Sequence, residues 1–413
     1  MKPAPVDPVH AWEKRPSRRQ FLTRGGVAIG GFALGWPGLT TQPSYGQLNK
    51  NPLKVGVLHS LTGTMASSGR SLVDAILMAI DEVNQQGGIL GRPLQAIIQD
   101  GASNPRIFAE KAEKLIKVDQ VQTIFGCWTS ASRKAVLPIV EREHHLLWYP
   151  VQYEGYEQSP AIMYGGAAPN QQIIPGLEWG LNKFGNKVFL VGSDYIFPRT
   201  ANRLIKAELN KRNAILSGEQ YQPLGGQDFQ GIFSSILKSK PDFIINTING
   251  DSNRGFFQKL YQSNISADTL PVISMSVAED ELQSIGVKLT YGHYAAWNYF
   301  QSIDNPANQR FVSSFRQRYG RDRVTGDPIE SAYVQVHLYN MAVTKAGSLK
   351  PMAVRQATAG LIFDAPQGLI RVDPNTFHTW KVARIGKIQR NGQFSIVWSS
   401  HLPLQPNPYP IQL

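Results

Sequence analysis

From residue 53 onward the chain alternates between two hydrophobic rhythms. Short apolar runs such as Lys54-Val55-Gly56-Val57-Leu58 have the look of strands, and longer stretches follow in which apolar residues recur every three or four positions. The first such stretch, about Ser71–Gln86, sets Leu72, Ala75, Ile76, Ala79, Ile80 and Val83 on one face and is stopped by Gly87-Gly88. The pattern predicts further strands over Leu94–Gln99, Val121–Gly126 and Leu146–Pro150, with helices over Pro105–Val118 and Ser132–Glu143 between them. It then restarts. Helices are predicted over Gln171–Phe184, Pro198–Arg212, Phe229–Lys238 and Asn253–Ser263, alternating with strands over Lys187–Gly192, Ala214–Tyr221, Asp242–Thr247 and Pro271–Ser274. Strand and helix in turn mean a mostly parallel sheet with helices on both faces. The expected class is therefore α/β, with two lobes, each doubly wound. Helices over Asp304–Tyr319 and Ser331–Ala346 are expected to return to the first lobe, and Ile370–Arg371, Thr379–Ile385 and Phe394–Trp398 read as closing strands.

The N-terminus follows a different order: a basic region, a short apolar region, then small residues. Ser17-Arg18-Arg19-Gln20-Phe21-Leu22 precedes Val27-Ala28-Ile29-Gly30-Gly31-Phe32-Ala33-Leu34-Gly35. That apolar run is too short to span a bilayer, which takes about 20 apolar residues. It reads as an export signal over residues 1–46, with processing near Ser44–Gln47, and the adjacent arginines resemble the twin-arginine export address. The expected destination is the periplasm. No cysteine follows the apolar run, so a bacterial lipoprotein anchor is not expected, and the mature chain should not insert in a membrane.

This signal changes how the charge is read. The net charge is +12, but seven Lys/Arg and only two acids fall within the first 50 residues, leaving +7 on the rest with no run of four like charges. A nucleic-acid footprint clusters its basic residues, so no nucleic-acid partner is expected. Cys127 is the single cysteine, which excludes an internal disulfide and any cysteine-rich metal site. The eight histidines show no metal-ligand spacing, and no metal or cofactor is expected. The nucleophile-elbow, phosphate-loop, zinc-protease and dinucleotide motifs are all missing, which points away from an enzyme. Asp251-Ser252-Asn253 resembles the start of a calcium loop but lacks its glycine and closing glutamate.

Ligands of open α/β sheets bind beyond the carboxyl ends of strands, and two facing sheets make the cleft between them the expected site. The loops there, Ser60–Met65, Cys127–Ser132, Tyr149–Tyr156, Gly192–Pro198, Ile248–Asn253 and Met275–Asp280, carry aromatic rings and neutral polar groups. Such a set suits a small, flat, neutral ligand rich in hydrogen-bonding groups.

Several long segments in order carry a resemblance. They are Gly126-Cys127-Trp128-Thr129-Ser130-Ala131-Ser132-Arg133-Lys134, Trp148-Tyr149-Pro150-Val151-Gln152-Tyr153-Glu154-Gly155, Gly192-Ser193-Asp194-Tyr195-Ile196-Phe197-Pro198, Thr247-Ile248-Asn249-Gly250-Asp251-Ser252-Asn253 and Asp364-Ala365-Pro366-Gln367-Gly368. Together they resemble the urea and short-chain amide-binding receptors of ABC importers, within the class that includes the branched-chain amino acid receptors. The resemblance spans residues 53–398 and implies a type I periplasmic binding protein: two lobes, three crossovers and a hinge. The implied boundaries are 52–168 plus 298–360 for the N-terminal lobe, 169–297 plus 361–398 for the C-terminal lobe and 399–413 for a Pro-rich tail. It further implies permease and ATPase subunits as partners and, as ligand residues, Trp128, Ser130, Tyr149, Pro150, Gln152, Tyr195 and Ser276; Thr129 and Asp251 join them from the loop reading. In the amide sensors a Tyr stands at the position of Trp128 and a Pro at that of Gln152.

Urea has one carbonyl oxygen and four N–H donors. The Ser130 hydroxyl or backbone N–H groups of Trp128–Ser130 would hold the oxygen. The Asp251 carboxylate, the Gln152 carbonyl and tyrosine hydroxyls would accept the N–H groups, and Trp128, Tyr149 or Tyr195 would cover the flat faces. Asp251 reads equally as the N-cap of the helix at Asn253. The alternatives are a receptor for short-chain amides or branched-chain amino acids, for which Asp251 or Glu330 would meet the ammonium group, or a cytoplasmic amide-sensing regulator.

Overall fold

The computed structural model describes residues 51–411; the expected export segment over 1–46 lies outside the described residues. The N-terminal lobe begins with β1 (Leu53–His59), α1 (Ala66–Gln85), β2 (Leu94–Asp100), α2 (Pro105–Lys117), β3 (Ile124–Gly126), α3 (Ser130–Arg142), β4 (Leu147–Tyr149) and β5 (Ile162–Tyr164). Its five strands are parallel in the order β2-β1-β3-β4-β5. Asn104 caps α2 and Thr129 caps α3, each side chain accepting a backbone N–H of the first turn.

The chain then crosses into the C-terminal lobe. There it builds α4 (Ile173–Phe184), β6 (Lys187–Ser193), α5 (Ile196–Lys211), β7 (Ile215–Gln222), α6 (Gln230–Ser239), β8 (Phe243–Thr247), α7 (Ser252–Gln262), β9 (Val272–Ser274), α8 (Glu279–Ile285), α9 (Val287–Thr290) and β10 (Tyr294–Trp297). Alternation along β6 explains the two-faced packing: Phe189 and Val191 join the core under α6 and α7, while Val188 and Leu190 join the core under α4 and α5. A second crossing returns the chain to the first lobe for α10 (Pro306–Tyr319), α11 (Asp327–Ala346) and α12 (Pro351–Thr358). A hairpin-like sheet of β11 (Ile362–Ala365), β12 (Gly368–Val372) and β13 (Thr379–Trp380) follows. Finally β14 (Arg384–Ile388) and β15 (Phe394–Ser399) add antiparallel strands to the C-terminal sheet, which runs β15-β14-β10-β9-β8-β6-β7. Among the described residues no helix is long and apolar enough to cross a membrane.

Three expectations need correction. Residues 361–380, expected in the C-terminal lobe, pack on the N-terminal one. Ala365, Ile370 and Val372 join the first lobe's core, and His378 stacks on Tyr164 and bridges to it at the sheet edge. The single strand expected over Thr379–Ile385 is broken at Lys381–Ala383, because those residues carry the chain from one lobe to the other. Helix α1 starts five residues before Ser71, so that it includes Gly69. The strands β5, β10 and β11 and the helices α8, α9 and α12 were not expected; each is eight residues or fewer and too short to show a period.

Gly69 sets how near α1 comes to the loop after β1. A Cβ at this position would stand 2.0 Å from the Ser60 carbonyl oxygen, so backbone lies directly against backbone. Gly69→Ala is expected to lower stability by about 1–3 kcal/mol, the usual cost of overpacking, and to displace the Ser60 loop. Guanidinium unfolding checks the first, and a shift of the Ser60 and Leu61 amide resonances the second.

The three crossings are tied together at one residue. Asn298, in the second, donates from Nδ2 to Gln171 O of the first and to Val382 O of the third, both at 3.0 Å. Asp327 accepts the backbone N–H groups of Asn298 and Tyr299, and Arg384 reaches the carbonyls of Asn298 and Gln367. Glu330 accepts from the Gln367 N–H and side-chain amide. Glu330 is thus buried in the hinge, away from the cleft loops, which removes it as a partner for a ligand ammonium.

Candidate functional site

In each sheet the strand order reverses beside the first-formed strand, between β1 and β3 in the N-terminal lobe and between β6 and β8 in the C-terminal one. A crevice opens at such points, and here the two crevices face each other. The lobes meet along a seam of direct bonds. Gln152 Nε2 donates to Met275 O (2.9 Å), Ser68 Oγ to Glu281 Oε1 (2.8 Å) and Gln283 Nε2 to Asp322 O (2.8 Å).

Between the lobes lies a largely enclosed cavity of about 130 Å³. Ser60 from the β1 loop, Met65 from the turn into α1 and Ser103 from the β2 loop line it, as do Trp128 and Thr129 from the β3 loop; Tyr195 and Leu224 close it from the other lobe. No ionisable carboxylate, amine or guanidinium lines it. The volume equals roughly four liquid waters at about 30 Å³ each. A larger hollow of about 810 Å³ lies between α1 and α8, but it is an open groove made by helix sides, with Arg70, Asp74, Asp280 and Arg323 on its walls.

The polar groups of the cavity lining and of the loops behind it are not all satisfied. The Trp128 indole N–H is buried without a partner, as are Gln152 Oε1 and Asn249 Oδ1. Asn249 Nδ2 donates to the Tyr195 hydroxyl at 2.8 Å, so the β8 loop holds the tyrosine that closes the cavity. Unpaired buried donors and acceptors are costly and are retained where something else pairs with them. Beneath the β3 loop, Cys127 sits at φ +67°, a strained conformation for a residue with a side chain. The next residue, Trp128, lines the cavity.

Of the nine residues expected to bind ligand, Trp128, Thr129 and Tyr195 line the cavity. Ser130, Tyr149, Pro150, Gln152 and Ser276 are buried behind it or in the seam. Tyr149 donates to Trp128 O at 2.8 Å and so supports the ring, and Ser276 donates to Ile248 O. Asp251 stands at the N-cap position of α7, but its carboxylate makes no cap bond; it is exposed and is not part of the cavity lining. Its backbone N–H reaches Thr64 Oγ1 at 3.3 Å.

Ser130 does not serve as expected either. Its hydroxyl donates to Glu154 Oε2 at 2.5 Å and accepts from Arg133 NH1 at 3.0 Å, so the one O–H it owns is committed within the lobe. Arg133 is wholly buried and holds Glu154 through NH2 (3.2 Å) and Glu157 through Nε (2.6 Å). Burial works against its charge, yet the two carboxylates raise its pKa above the usual guanidinium range. Burial would also lift Glu157, but Arg133 and Lys134 beside it hold it down at about 2. This network fixes the backbone from which Trp128 and Tyr149 project. Sequence reasoning passed over Arg133 and Glu154, although both stand inside the segments that carry the resemblance.

Comparison with known proteins decides the family. Residues 53–413 match the model of the periplasmic binding protein domain. The chain belongs to this family. Among curated relatives, this periplasmic binding protein is 22% identical to Leu/Ile/Val-binding protein homolog 6 of Brucella suis, over 79% of this chain and 85% of that one. It is 22% identical to the leucine-, isoleucine-, valine-, threonine- and alanine-binding protein of Pseudomonas aeruginosa, over 87% and 93%. A shorter match, 33% identical over 124 residues to a limonene hydroxylase of Geobacillus stearothermophilus, spans 30% of this chain but only 23% of that protein. A solved solute-binding protein of an ABC transporter from Rhodopseudomonas palustris HaA2, in complex with p-hydroxybenzoic acid, superposes with a TM-score of 0.78 at 20% identity, over 86% of this chain and 98% of that one. The two-lobed type I architecture of this periplasmic binding protein is the fold of these structures, and a binding protein rather than an enzyme agrees with the family.

Proposed function

We propose that the chain is an extracytoplasmic receptor that closes on urea, or on a neutral amide of similar size, and delivers it to an ABC importer through permease and ATPase partners. The observation that carries this reading is the uncharged cavity of about 130 Å³ at the facing strand ends. A free amino acid brings an ammonium and a carboxylate, each of which needs an opposite charge or dense hydrogen bonding when buried. The buried Arg133 has its guanidinium bound to Ser130, Glu154 and Glu157 and has none to offer. A neutral four-heavy-atom solute needs no such partner. Its carbonyl oxygen would take the unpaired Trp128 indole N–H, its N–H groups would reach the hydroxyl oxygens of the lining, and the Trp128 and Tyr195 rings would bound it from opposite lobes. The twin-arginine-like segment at residues 18–19 supports export to the periplasm.

The relatives supply a second reading. Proteins of the same fold are named for branched-chain amino acids or bear an aromatic acid, and a wider-open cleft would admit such a ligand. Calorimetric titration of the mature chain, freed of ligand by unfolding and refolding, separates the two. Saturable 1:1 binding of urea is expected, weaker binding of acetamide and formamide, and none of leucine or p-hydroxybenzoate. Trp128→Phe keeps the ring and removes the N–H, and it is expected to weaken urea about tenfold, the worth of one buried hydrogen bond of about 1.4 kcal/mol. Heat with leucine or the aromatic acid and none with urea would overturn the urea reading and leave the receptor standing.

A further inference from the structure

From Ser400 on, the Pro-rich tail has no part in either large sheet, yet it is bound at points all the way to Ile411. Ser400 exchanges hydrogen bonds with Ala383, and Leu404 pairs with Lys381 in both directions, so the tail runs beside the third crossing. Gln171, in the first crossing, donates from Nε2 to Leu404 O at 2.8 Å. Its neighbour Asn170 donates to Gln405 O at 2.8 Å and accepts from Asn407 N at 2.7 Å. The tail then passes onto the N-terminal lobe, where Tyr156 N donates to Pro408 O (2.9 Å) and the Tyr156 ring meets Tyr409 edge-on. Ile411, its last described residue, accepts the Tyr156 hydroxyl and packs against the core of the C-terminal lobe.

Two further features show that this path is fitted. Pro406 and Pro408 are buried while Gln405, Asn407 and Tyr409 between and beside them are exposed, and four prolines in eight residues hold the segment extended and stiff. Gly155 lies at φ +75°, and a Cβ there would stand 2.4 Å from Pro408 O, so the loop after Glu154 has room for the tail only because it is glycine.

We infer that residues 400–411 form a strap across the hinge, which bonds two of the three crossings and both lobes in the closed arrangement and so sets how readily the lobes part. Opening must break the bonds at Asn170 and Gln171, or pull the strap off Gly155-Tyr156, because a stiff proline segment cannot stretch. The strap biases the ligand-free protein toward closure. This goes beyond the choice of ligand but rests on the reading of a protein that opens and closes, and the two are tested apart.

Spin labels at Glu110→Cys on α2 and Lys238→Cys on α6 report the distance between the lobes. Both positions are exposed, and the buried Cys127 leaves the background unlabelled. Electron–electron distance distributions are compared for the full mature chain, for a chain ending at Leu402 and for the full chain carrying Asn170→Ala, each with and without urea. Without ligand, loss of the strap is expected to move the population to distances longer by several ångströms. Asn170→Ala, which removes two strap bonds and leaves the tail in place, is expected to move it part of the way. Should the shortened chain fail to fold, the Asn170→Ala arm decides. Identical ligand-free distributions in full chain and variants overturn the strap while a urea-driven closure in the full chain leaves the receptor intact. One fixed distance in every chain, with or without urea, overturns both.

Discussion

Replacing Arg133 by methionine is expected to cost about 3–5 kcal/mol of stability, the scale found when one partner of a buried charge pair is removed. Methionine is long enough to fill the space, so the loss is electrostatic rather than a cavity effect. Glu154 keeps only the Ser130 hydroxyl, and Glu157 keeps Lys134 together with the hydroxyl of Tyr164. Two carboxylates then stand in a buried site with one flexible, partly exposed amine, bound to Glu157 alone. Adding Glu154→Gln and Glu157→Gln to Arg133→Met is expected to recover most of the loss, because a neutral network carries no uncompensated charge. Guanidinium unfolding measures it without introducing the proposed ligand as denaturant. A loss below about 1 kcal/mol for the single change would mean that the network is not a unit. The same change removes the bond that Ser130 Oγ accepts from Arg133 and loosens the base of the β3 loop, so ligand affinity should fall along with stability.

The second large effect is a fall in stability as pH rises from about 6.5 to 8.5. Burial, aided by the nearby carboxylates Glu281 and Asp327, pushes Glu279 up to about 8 even though Gln301 N donates to it. Burial likewise pushes Glu330 up to about 7 and raises Asp327. Between its ordinary value and its raised one, such a carboxyl keeps in the folded state a proton that the unfolded chain has lost. Its stabilising contribution is therefore lost as pH climbs through that interval. Histidines oppose this at lower pH. Burial drives His59 and His293 down to about 3 and His378 to about 4, so below about 6.5 the unfolded chain takes up protons that the folded one refuses. The two sets counteract each other between about 4.5 and 6.5, and only the acids act above it. With about 1.4 kcal/mol per pH unit per group, the decline from pH 6.5 to 8.5 should be on the order of 2–3 kcal/mol. Glu279→Gln keeps an acceptor for Gln301 N and should remove most of the slope. A flat profile in the parent protein would show that Glu279 is ionised in the fold.

The alternation of strand and helix was legible because long amphipathic helices such as α1 and buried parallel strands such as β6 and β8 carry strong local signals. What was not legible depended on contacts distant in sequence. Nothing in residues 361–380 says on which lobe they rest; the burial of Ile370 and Val372 in the core of the first lobe decides it. The site divides in the same way. Trp128, Thr129 and Tyr195 could be placed because loops that follow strands meet at the facing crevices. The true role of Ser130 could not, since the Glu154 carboxylate that takes its hydroxyl lies 24 residues away. Asp251 misled because its position before a helix and in a cleft loop fitted two roles, and its carboxylate takes neither.

The course of the chain through its two lobes also governs the order in which the molecule can be built. The core of the first lobe draws on residues from Leu53 to Val372, and the helical layers of the second lie within that interval. During synthesis the second lobe can begin to pack while the first still lacks α11, β12 and the pairing of His378 with Tyr164. A sheet whose last stabilising layer arrives some 200 residues after its strands presents apolar surface for many seconds at ordinary elongation rates. Parallel pairing of distant segments is slow in its own right. The nascent first lobe is thus the stage at which this protein is most exposed to aggregation, and substitutions in α11 should lower the yield of folded chain more than they lower the stability of what has folded.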